Sequence, residues 1–273
     1  MSAIQEIKRL GILAGGGDLP RLLVDACRAH GIEPFVVAFK GQGDFGWLLD
    51  DISHEVIKIG KAGRVMSALR AHDVRDVVML GAIAKPSVAA LAPDMTGLKF
   101  LAKYGYSALG DDGLLSALRQ FLEGEGFALH GAHRFMPEMV VPSGVLGVHG
   151  VDDYAGDIEV GMAAALALGA QDKGQSVVMR AGAVIAREGR SGTDAMIAGA
   201  DDGRGAVLVK MCKPQQDRDL DLPTIGPATV RACLDQGFAG IAVHAGESFF
   251  VEREAAIALA DEAGLFVIGV DAP

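Results

Sequence analysis

The alternation of short apolar runs with amphipathic stretches over the first eighty residues constrains the fold more than any other feature. Leu10–Ala14 is a short apolar run, Gly15–Gly17 is a glycine turn, and Leu19–His30 carries helical periodicity. Gly31 stands where a helix C-cap glycine belongs, and Pro34–Ala38 is the next apolar run. A second unit repeats the pattern, with Val56–Ile59 read as a strand, Ala62–His72 as a helix and Asp76–Leu80 as a strand. Strands that alternate with helices pair in parallel through right-handed crossovers, so this region predicts a doubly wound, Rossmann-like α/β domain. Ligands of such sheets lie beyond the carboxyl ends of the strands.

Between Lys85 and Glu123 the pattern turns helical and less regular, and Leu91–Leu101 mixes Leu, Met and Phe with few charges. That stretch reads as core, with a lipid-covering face as the alternative. Residues 131–150, with Pro137, Pro142 and several glycines, read as a linker. The second half then starts afresh. Ile158–Leu168 is an Ala-rich helix, Ser176–Met179, Ala183–Ala186 and Ala206–Cys212 are strands, and Pro227–Leu234 is a helix. Gly240–His244 is a strand, Arg253–Glu262 a helix and Phe266–Val270 a final strand. The expected division is a Rossmann-like domain over 1–133, a linker over 134–150 and a distinct C-terminal α/β catalytic domain over 151–273, with a ligand cleft between the two.

A net charge of −10 over 273 residues argues against a nucleic-acid binder, which needs a basic face to neutralise phosphates. Anions can still be met locally, through backbone amides, a few cations or a divalent metal. Cys27, Cys212 and Cys233 are widely spaced, so neither a zinc site nor a disulfide framework is expected, and a reducing cytoplasm is. The N-terminus has no signal-type apolar core, and no run approaches the ~18 uninterrupted apolar residues of a membrane span.

Three polar clusters stand out against this apolar chain. Gly11–Asp18 resembles a phosphate turn but is not a G-x-G-x-x-G fingerprint; three glycines at a strand-to-helix junction let a ligand approach backbone amides, with Asp18 as helix N-cap. Arg187–Asp194 follows a strand, with Glu188 and Asp194 as hard oxygen donors; the competing reading is a plain turn in which Asp194 caps a helix. Lys213–Gly226 is the densest, packing Lys213, Asp217, Arg218, Asp219 and Asp221 into a few residues pinned by Pro214 and Pro223 just past an apolar strand. The seven histidines show no metal spacing, and Gly246-Glu247-Ser248 lacks the second glycine of a nucleophile elbow. Carboxylates with few soft ligands suit Mg²⁺, with Mn²⁺ as the alternative, and point to phosphoester or phosphoanhydride hydrolysis.

In these motifs the chain resembles the compact UDP-2,3-diacylglucosamine diphosphatases of lipid A biosynthesis, the type unrelated to calcineurin-like phosphoesterases. The matching stretches are Leu13–Pro20, Gly110–Leu115, Glu188 with Gly192–Asp194, and Gln216–Gly226 with Lys213 before it. The resemblance implies an N-terminal Rossmann-like domain, a distinct C-terminal α/β domain and Mg²⁺-dependent cleavage of a lipid-linked UDP-sugar to UMP and 2,3-diacylglucosamine 1-phosphate. Asp221, then Asp217, are the expected catalytic acids and metal ligands, with Glu188 and Asp194 supporting the ion and Lys213 and Arg218 clamping the diphosphate. Gly15, Gly16, Gly17, Asp18, Leu19, Lys85, Asp111, Asp112, Thr193, Gln216 and Thr229 are the expected substrate contacts. The implied setting is cytoplasmic, with transient contact at the inner membrane, no nucleic acid, and a homodimer as the protein partner. The rival functions are a Rossmann-type oxidoreductase or epimerase of nucleotide sugars and a non-catalytic lipid-nucleotide carrier.

Overall fold

In the computed structural model, residues 6–49, 51–84, 91–105, 111–200 and 202–272 are described, Asp111 and Asp112 by their backbone alone. Internal packing divides the chain into two units: Met1–Pro137 together with Asp217–Asp221, and Glu138–Gln216 together with Leu222–Pro273. The first of these therefore takes in five residues from the densest charged cluster of the second half.

The first unit is built on β1 (Arg9–Ala14), α1 (Leu19–Ala29), β2 (Glu33–Phe39), β3 (His54–Ile57), α2 (Ala62–Ala71), β4 (Asp76–Leu80), α3 (Met95–Tyr104), α4 (Asp111–Gly124) and β5 (Ala128–Leu129). Its sheet runs β3-β2-β1-β4-β5, and every pairing is parallel. Side chains alternate across a strand, so both faces of a covered parallel sheet must be apolar. Phe35, Val37 and Phe39 of β2 and Leu13 of β1 accordingly share a core with Val65, Met66 and Leu69 of α2 and Leu122 of α4. Leu23, Val24 and Cys27 of α1 are buried as well, and burial pushes the Cys27 thiol up to about 12, so it is inert packing. Strand order reverses between β1 and β4, which makes the loops after those two strands the switch point of the sheet.

The stretch Leu91–Leu101 divides between inside and outside. Leu91 and Phe100 are buried, and the Phe100 ring meets Tyr104 and Phe121, whereas Met95 and Leu98 face outward. Its start is held by Asp94, whose Oδ1 accepts the Gly97 amide at 2.8 Å in the first turn of α3. The other oxygen, Oδ2, accepts the amides of Gly63 at 2.9 Å and Arg64 at 3.3 Å in the first turn of α2. One carboxylate thus satisfies orphan donors of two helices. Asp94→Ala is expected to destabilise the protein by about 1–3 kcal/mol, read as a lowered denaturation midpoint. A midpoint equal to that of the parent would contradict the double cap.

The second unit contains β6 (Gly144–Val145), α5 (Ala155–Ala170), β7 (Ser176–Arg180), β8 (Ala183–Arg187), α6 (Gly192–Ala198), β9 (Val207–Lys210), β10 (Thr224–Ile225), α7 (Pro227–Asp235), β11 (Gly240–His244), β12 (Phe249–Phe250), α8 (Arg253–Glu262) and β13 (Phe266–Val270). Its main sheet is ordered β6-β13-β11-β9-β7-β8, with β9, β11 and β13 parallel and the outer pairings antiparallel; β10 and β12 form a small pair of their own. The period-two rule separates the two cores. Val177, Met179, Val207, Val209, Ala242 and Phe266 pack on one side with Ile158, Ala165 and Leu168 of α5. Val178, Leu208, Ile241, Val243 and Val267 pack on the other with Ile197 of α6, Val230 and Cys233 of α7, and Ala256 and Ala260 of α8. Gly161 lets α5 settle onto the sheet, since a Cβ there would lie 2.6 Å from Val209 Cγ2.

The stretch expected as a linker carries structure of its own. Short 3-10 turns occupy Ala132–Arg134 and Pro137–Met139, and β6 adds an antiparallel edge to β13. No helix among the described residues is long and apolar enough to cross a membrane.

Candidate functional site

The glycine turn sits at the switch point of the first unit, but two of its amides are already used. Gly15 N–H donates to Leu80 O at 2.8 Å and Gly16 N–H to Ala82 O at 2.7 Å, while Ala82 N–H returns a bond to Gly16 O at 2.9 Å. A Cβ on Gly15 would lie 2.5 Å from Ala82 O, and one on Gly16 the same distance from Gln42 O. These glycines are therefore required by close approach of three strand-end loops, which engages two of the amides expected to face phosphate. Gly17 has φ +91°, and Asp18 stands at the N-cap of α1 without making a side-chain cap. Lys85 lies outside the described residues. Asp111 and Asp112 open α4, the helix that carries Arg119.

The five residues 217–221 form a tight turn on the first unit. Asp217 O accepts the amides of Leu220 at 2.9 Å and Asp221 at 3.1 Å, and Asp217 Oδ1 accepts the Asp219 amide at 3.0 Å. Leu220 is buried in the same core as α2 and α4. Two arginines grip the turn: Arg119 Nη2 donates to Asp219 Oδ2 at 3.2 Å, and Arg134 Nη2 donates to the same oxygen at 3.0 Å. Arg119 Nε also forms an ion pair with Asp217 Oδ2 at 3.0 Å, outside hydrogen-bond alignment. Asp221 and Arg218 are exposed on this turn.

Burial alone would raise the Asp219 carboxyl, but the hydrogen bond from Arg119 and the charges of Arg134, Arg119 and His133 outweigh it and hold it below the usual carboxylate range. His133 is pushed the other way: burial lowers its imidazole, and Arg134 and Arg218 add to that, against the pull of Asp219 and a bond to the Arg218 backbone. Its Nδ1 is buried without a hydrogen-bond partner.

The second unit gathers a different set at the carboxyl end of β9. Lys210 is a lysine only 7% exposed, with Nζ 3.2 Å from Thr193 Oγ1 and 3.3 Å from Thr224 O. Thr193 Oγ1 in turn donates to Glu188 Oε1 at 2.9 Å and lies 3.3 Å from Ser176 Oγ. Glu188 Oε2 accepts the Gln175 amide at 2.8 Å. Glu188 and Thr193, named from the sequence, are thus brought together, and Lys210 was missed. The signal was present: Lys210 interrupts the apolar run Ala206–Cys212, and a charge inside a buried strand needs a polar partner. Asp194 is exposed in the first turn of α6, and Thr229 is half-buried in the first turn of α7.

After β9 the chain forms a compact corner. Gln216 Oε1 accepts the Lys213 amide at 3.1 Å and the Cys212 thiol at 3.5 Å, and Lys213 Nζ meets Asp172 Oδ1 at 2.6 Å. The Cys212 amide donates to His244 Nδ1 at 3.3 Å, which leaves the His244 proton on Nε2 when the ring is neutral. The charged motif is therefore divided between the units, Lys213 and Gln216 in the second, and Asp217, Arg218 and Asp221 in the first.

Two of the four carboxylates named as metal ligands, Glu188 and Asp217, are already engaged by the protein. Both oxygens of Glu188 accept protein donors, and both oxygens of Asp217 are engaged, one by an amide and one by Arg119. Among the described residues, no grouping of three or more His, Cys, Asp or Glu side chains is spaced to hold a metal.

Comparison with known proteins adds an independent line. Residues 9–139 match the LpxI N-terminal domain and residues 142–268 the LpxI C-terminal domain. The chain is 40% identical over 277 aligned positions to the UDP-2,3-diacylglucosamine pyrophosphatase LpxI of Caulobacter vibrioides, covering 97% of this chain and 98% of that protein. Among solved structures, the Bordetella bronchiseptica enzyme WbmG in complex with NAD aligns at 17% identity and TM-score 0.29, over 44% of this chain and 36% of that one. The glycinamide-RNase-transformylase T of Mycobacterium tuberculosis aligns at 15% identity and TM-score 0.25, over 66% and 43%. Neither structural likeness is close enough to carry an argument.

Proposed function

The chain belongs to the LpxI family, and from that premise we propose that it hydrolyses the pyrophosphate bond of UDP-2,3-diacylglucosamine to UMP and 2,3-diacylglucosamine 1-phosphate. The observation that carries the proposal is the match to the Caulobacter pyrophosphatase over nearly the whole of both chains. In this reaction a water oxygen bonds to one phosphorus, the bridging P–O bond breaks, and the water gives up a proton to a carboxylate. Asp221 is the carboxylate of this proposal. Lys213 and Arg218 neutralise charge that grows on the diphosphate, since cations placed before the reaction are worth most where charge develops. Gly17, Asp18 and Leu19 at the switch point of the first sheet meet the nucleotide end in this proposal, and Asp111 and Asp112 stay among its substrate contacts.

Mg²⁺, with Mn²⁺ as the alternative, stays the cofactor of this proposal, where it would neutralise phosphate charge. No step is assigned to it, because two of the four carboxylates named for it, Glu188 and Asp217, already spend both oxygens on protein donors. Contact with the membrane that holds the lipid is transient, and a homodimer is the protein partner. The test follows conversion of the lipid nucleotide by mass spectrometry with Mg²⁺, with Mn²⁺ and with EDTA. Conversion to UMP that stops in EDTA is expected. Equal conversion in EDTA would remove the metal requirement and leave the hydrolysis standing, whereas no conversion under any condition would overturn the activity.

A further inference from the structure

We infer that Arg119 and Arg134 are positioning residues for the proposed hydrolysis: they clamp the turn Asp217–Asp221 and so set the direction of the Asp221 carboxylate. The inference rests on Asp221 being the reacting acid, and goes beyond it by dividing the three aspartates of the motif by role. Asp217 and Asp219 are engaged in holding the turn itself. Asp217 Oδ1 accepts the Asp219 amide, Asp217 Oδ2 pairs with Arg119 at 3.0 Å, and Asp219 Oδ2 receives both Arg119 at 3.2 Å and Arg134 at 3.0 Å. Asp221 is attached to the same turn through its amide, bonded to Asp217 O at 3.1 Å.

Three observations of different kinds converge on one rigid element. Leu220, between the clamped Asp219 and the reacting Asp221, is buried in the apolar core of the first unit. The Asp219 side chain is 17% exposed and that of Arg119 23%, so their ion pair is shielded from water where surface pairs are not. Gly131 is crowded from the same side, as a Cβ there would lie 2.5 Å from His133 Nδ1 and 2.6 Å from Asp219 Oδ1. A five-residue turn held by an apolar anchor and two guanidinium groups has little freedom to reorient. A loop bearing a reacting group otherwise samples many orientations, and a misplacement of about 1 Å lowers a rate by about 10²-fold.

Arg119 can reach two carboxylates because its guanidinium is a planar fork; the compact lysine ammonium cannot hold both at once. Arg119→Lys therefore keeps the charge and loses the geometry, and Arg119→Met loses both.

The experiment measures kcat, KM and amide hydrogen exchange for Arg119→Lys, Arg119→Met, Arg134→Met and the double variant Arg119→Met/Asp217→Asn. Arg119→Met is expected to lower kcat by about 10²-fold with KM within about threefold, and Arg119→Lys to recover only part of the loss. Arg134, 43% exposed, is expected to matter less, at about three- to tenfold. The double variant should be no worse than Arg119→Met alone, because both changes release the same turn. The Leu220 and Asp221 amides should exchange faster in Arg119→Met without substrate present, a readout that does not depend on the reaction.

Unchanged exchange at these amides would overturn the clamp. Faster exchange with an unchanged kcat would overturn its positioning role, and multiplied losses in the double variant would show that Arg119 acts elsewhere. A raised KM with unchanged kcat would make Arg119 a substrate contact instead. If Arg119→Met fails to fold, Arg119→Lys and Arg134→Met carry the same readouts. A wild-type protein without hydrolytic activity would overturn the proposed function and with it the positioning role, leaving exchange to decide the clamp alone.

Discussion

Replacing Asp221 with alanine is expected to lower kcat by about 10³-fold or more while the lipid nucleotide still binds. A carboxylate that takes a proton from attacking water interacts more strongly with the transition state than with the bound substrate. Its loss therefore falls on kcat and on kcat/KM together and leaves KM near its starting value. Asp221 is exposed and its backbone belongs to the turn that Asp217 closes, so removing its side chain leaves the bonds from Asp217 O to the Leu220 and Asp221 amides in place. Steady-state kinetics on the purified variant, with binding followed by calorimetry, separate the two effects. Retention of more than about a tenth of kcat would move the reacting role to another group, and lost binding with normal turnover of what binds would make Asp221 a substrate contact.

Replacing Asp219 with alanine is expected to act on stability first. Its Oδ2 receives two guanidinium groups, and deleting it leaves Arg119 and Arg134 facing each other without that shared partner. Breaking a fully buried pair costs about 3–5 kcal/mol, and with Arg134 partly solvated about 2–3 kcal/mol is expected here. The carboxyl of Asp219 is held below its usual range in the fold, so its contribution is complete above the carboxylate pKa of the unfolded chain. That contribution is lost as pH falls through the lower folded value, so the difference between parent and Asp219→Ala should shrink in acid. His133 works at higher pH with the same sign. Its imidazole is held below the ordinary 6.5, so the unfolded chain takes up a proton first and stability falls as pH drops below about 6.5. His133→Gln should flatten that part of the profile. Denaturation midpoints from pH 8 to pH 3 read both effects. A constant difference between parent and Asp219→Ala down to the lowest pH would contradict the assigned cause.

What was legible in the sequence follows from burial. A parallel sheet covered on both faces demands continuous apolar runs, and β1, β2, β4, β9, β11 and β13 were all visible as such runs. The edge β6 falls within the stretch expected as linker, because two exposed residues leave no period to detect. The glycine turn suits an anion and a packed loop alike, because close approach of a phosphate and close approach of another loop ask for the same residue. The bonds from Gly15 and Gly16 to Leu80 and Ala82 show the second use. Arg119 and Arg134 left no local trace, since they meet Asp219 across 100 and 85 residues of chain. Lys210 did leave one, as a charge within an apolar strand, and its partner Thr193 stood in a motif already named.

Chromatographic measurement of UMP released from UDP-2,3-diacylglucosamine by the purified protein, beside its Asp221→Ala variant, tests the proposed hydrolysis most directly. One UMP for each 2,3-diacylglucosamine 1-phosphate is predicted from the parent, with the variant at background. No UMP from the parent, or equal UMP from both proteins, would contradict it.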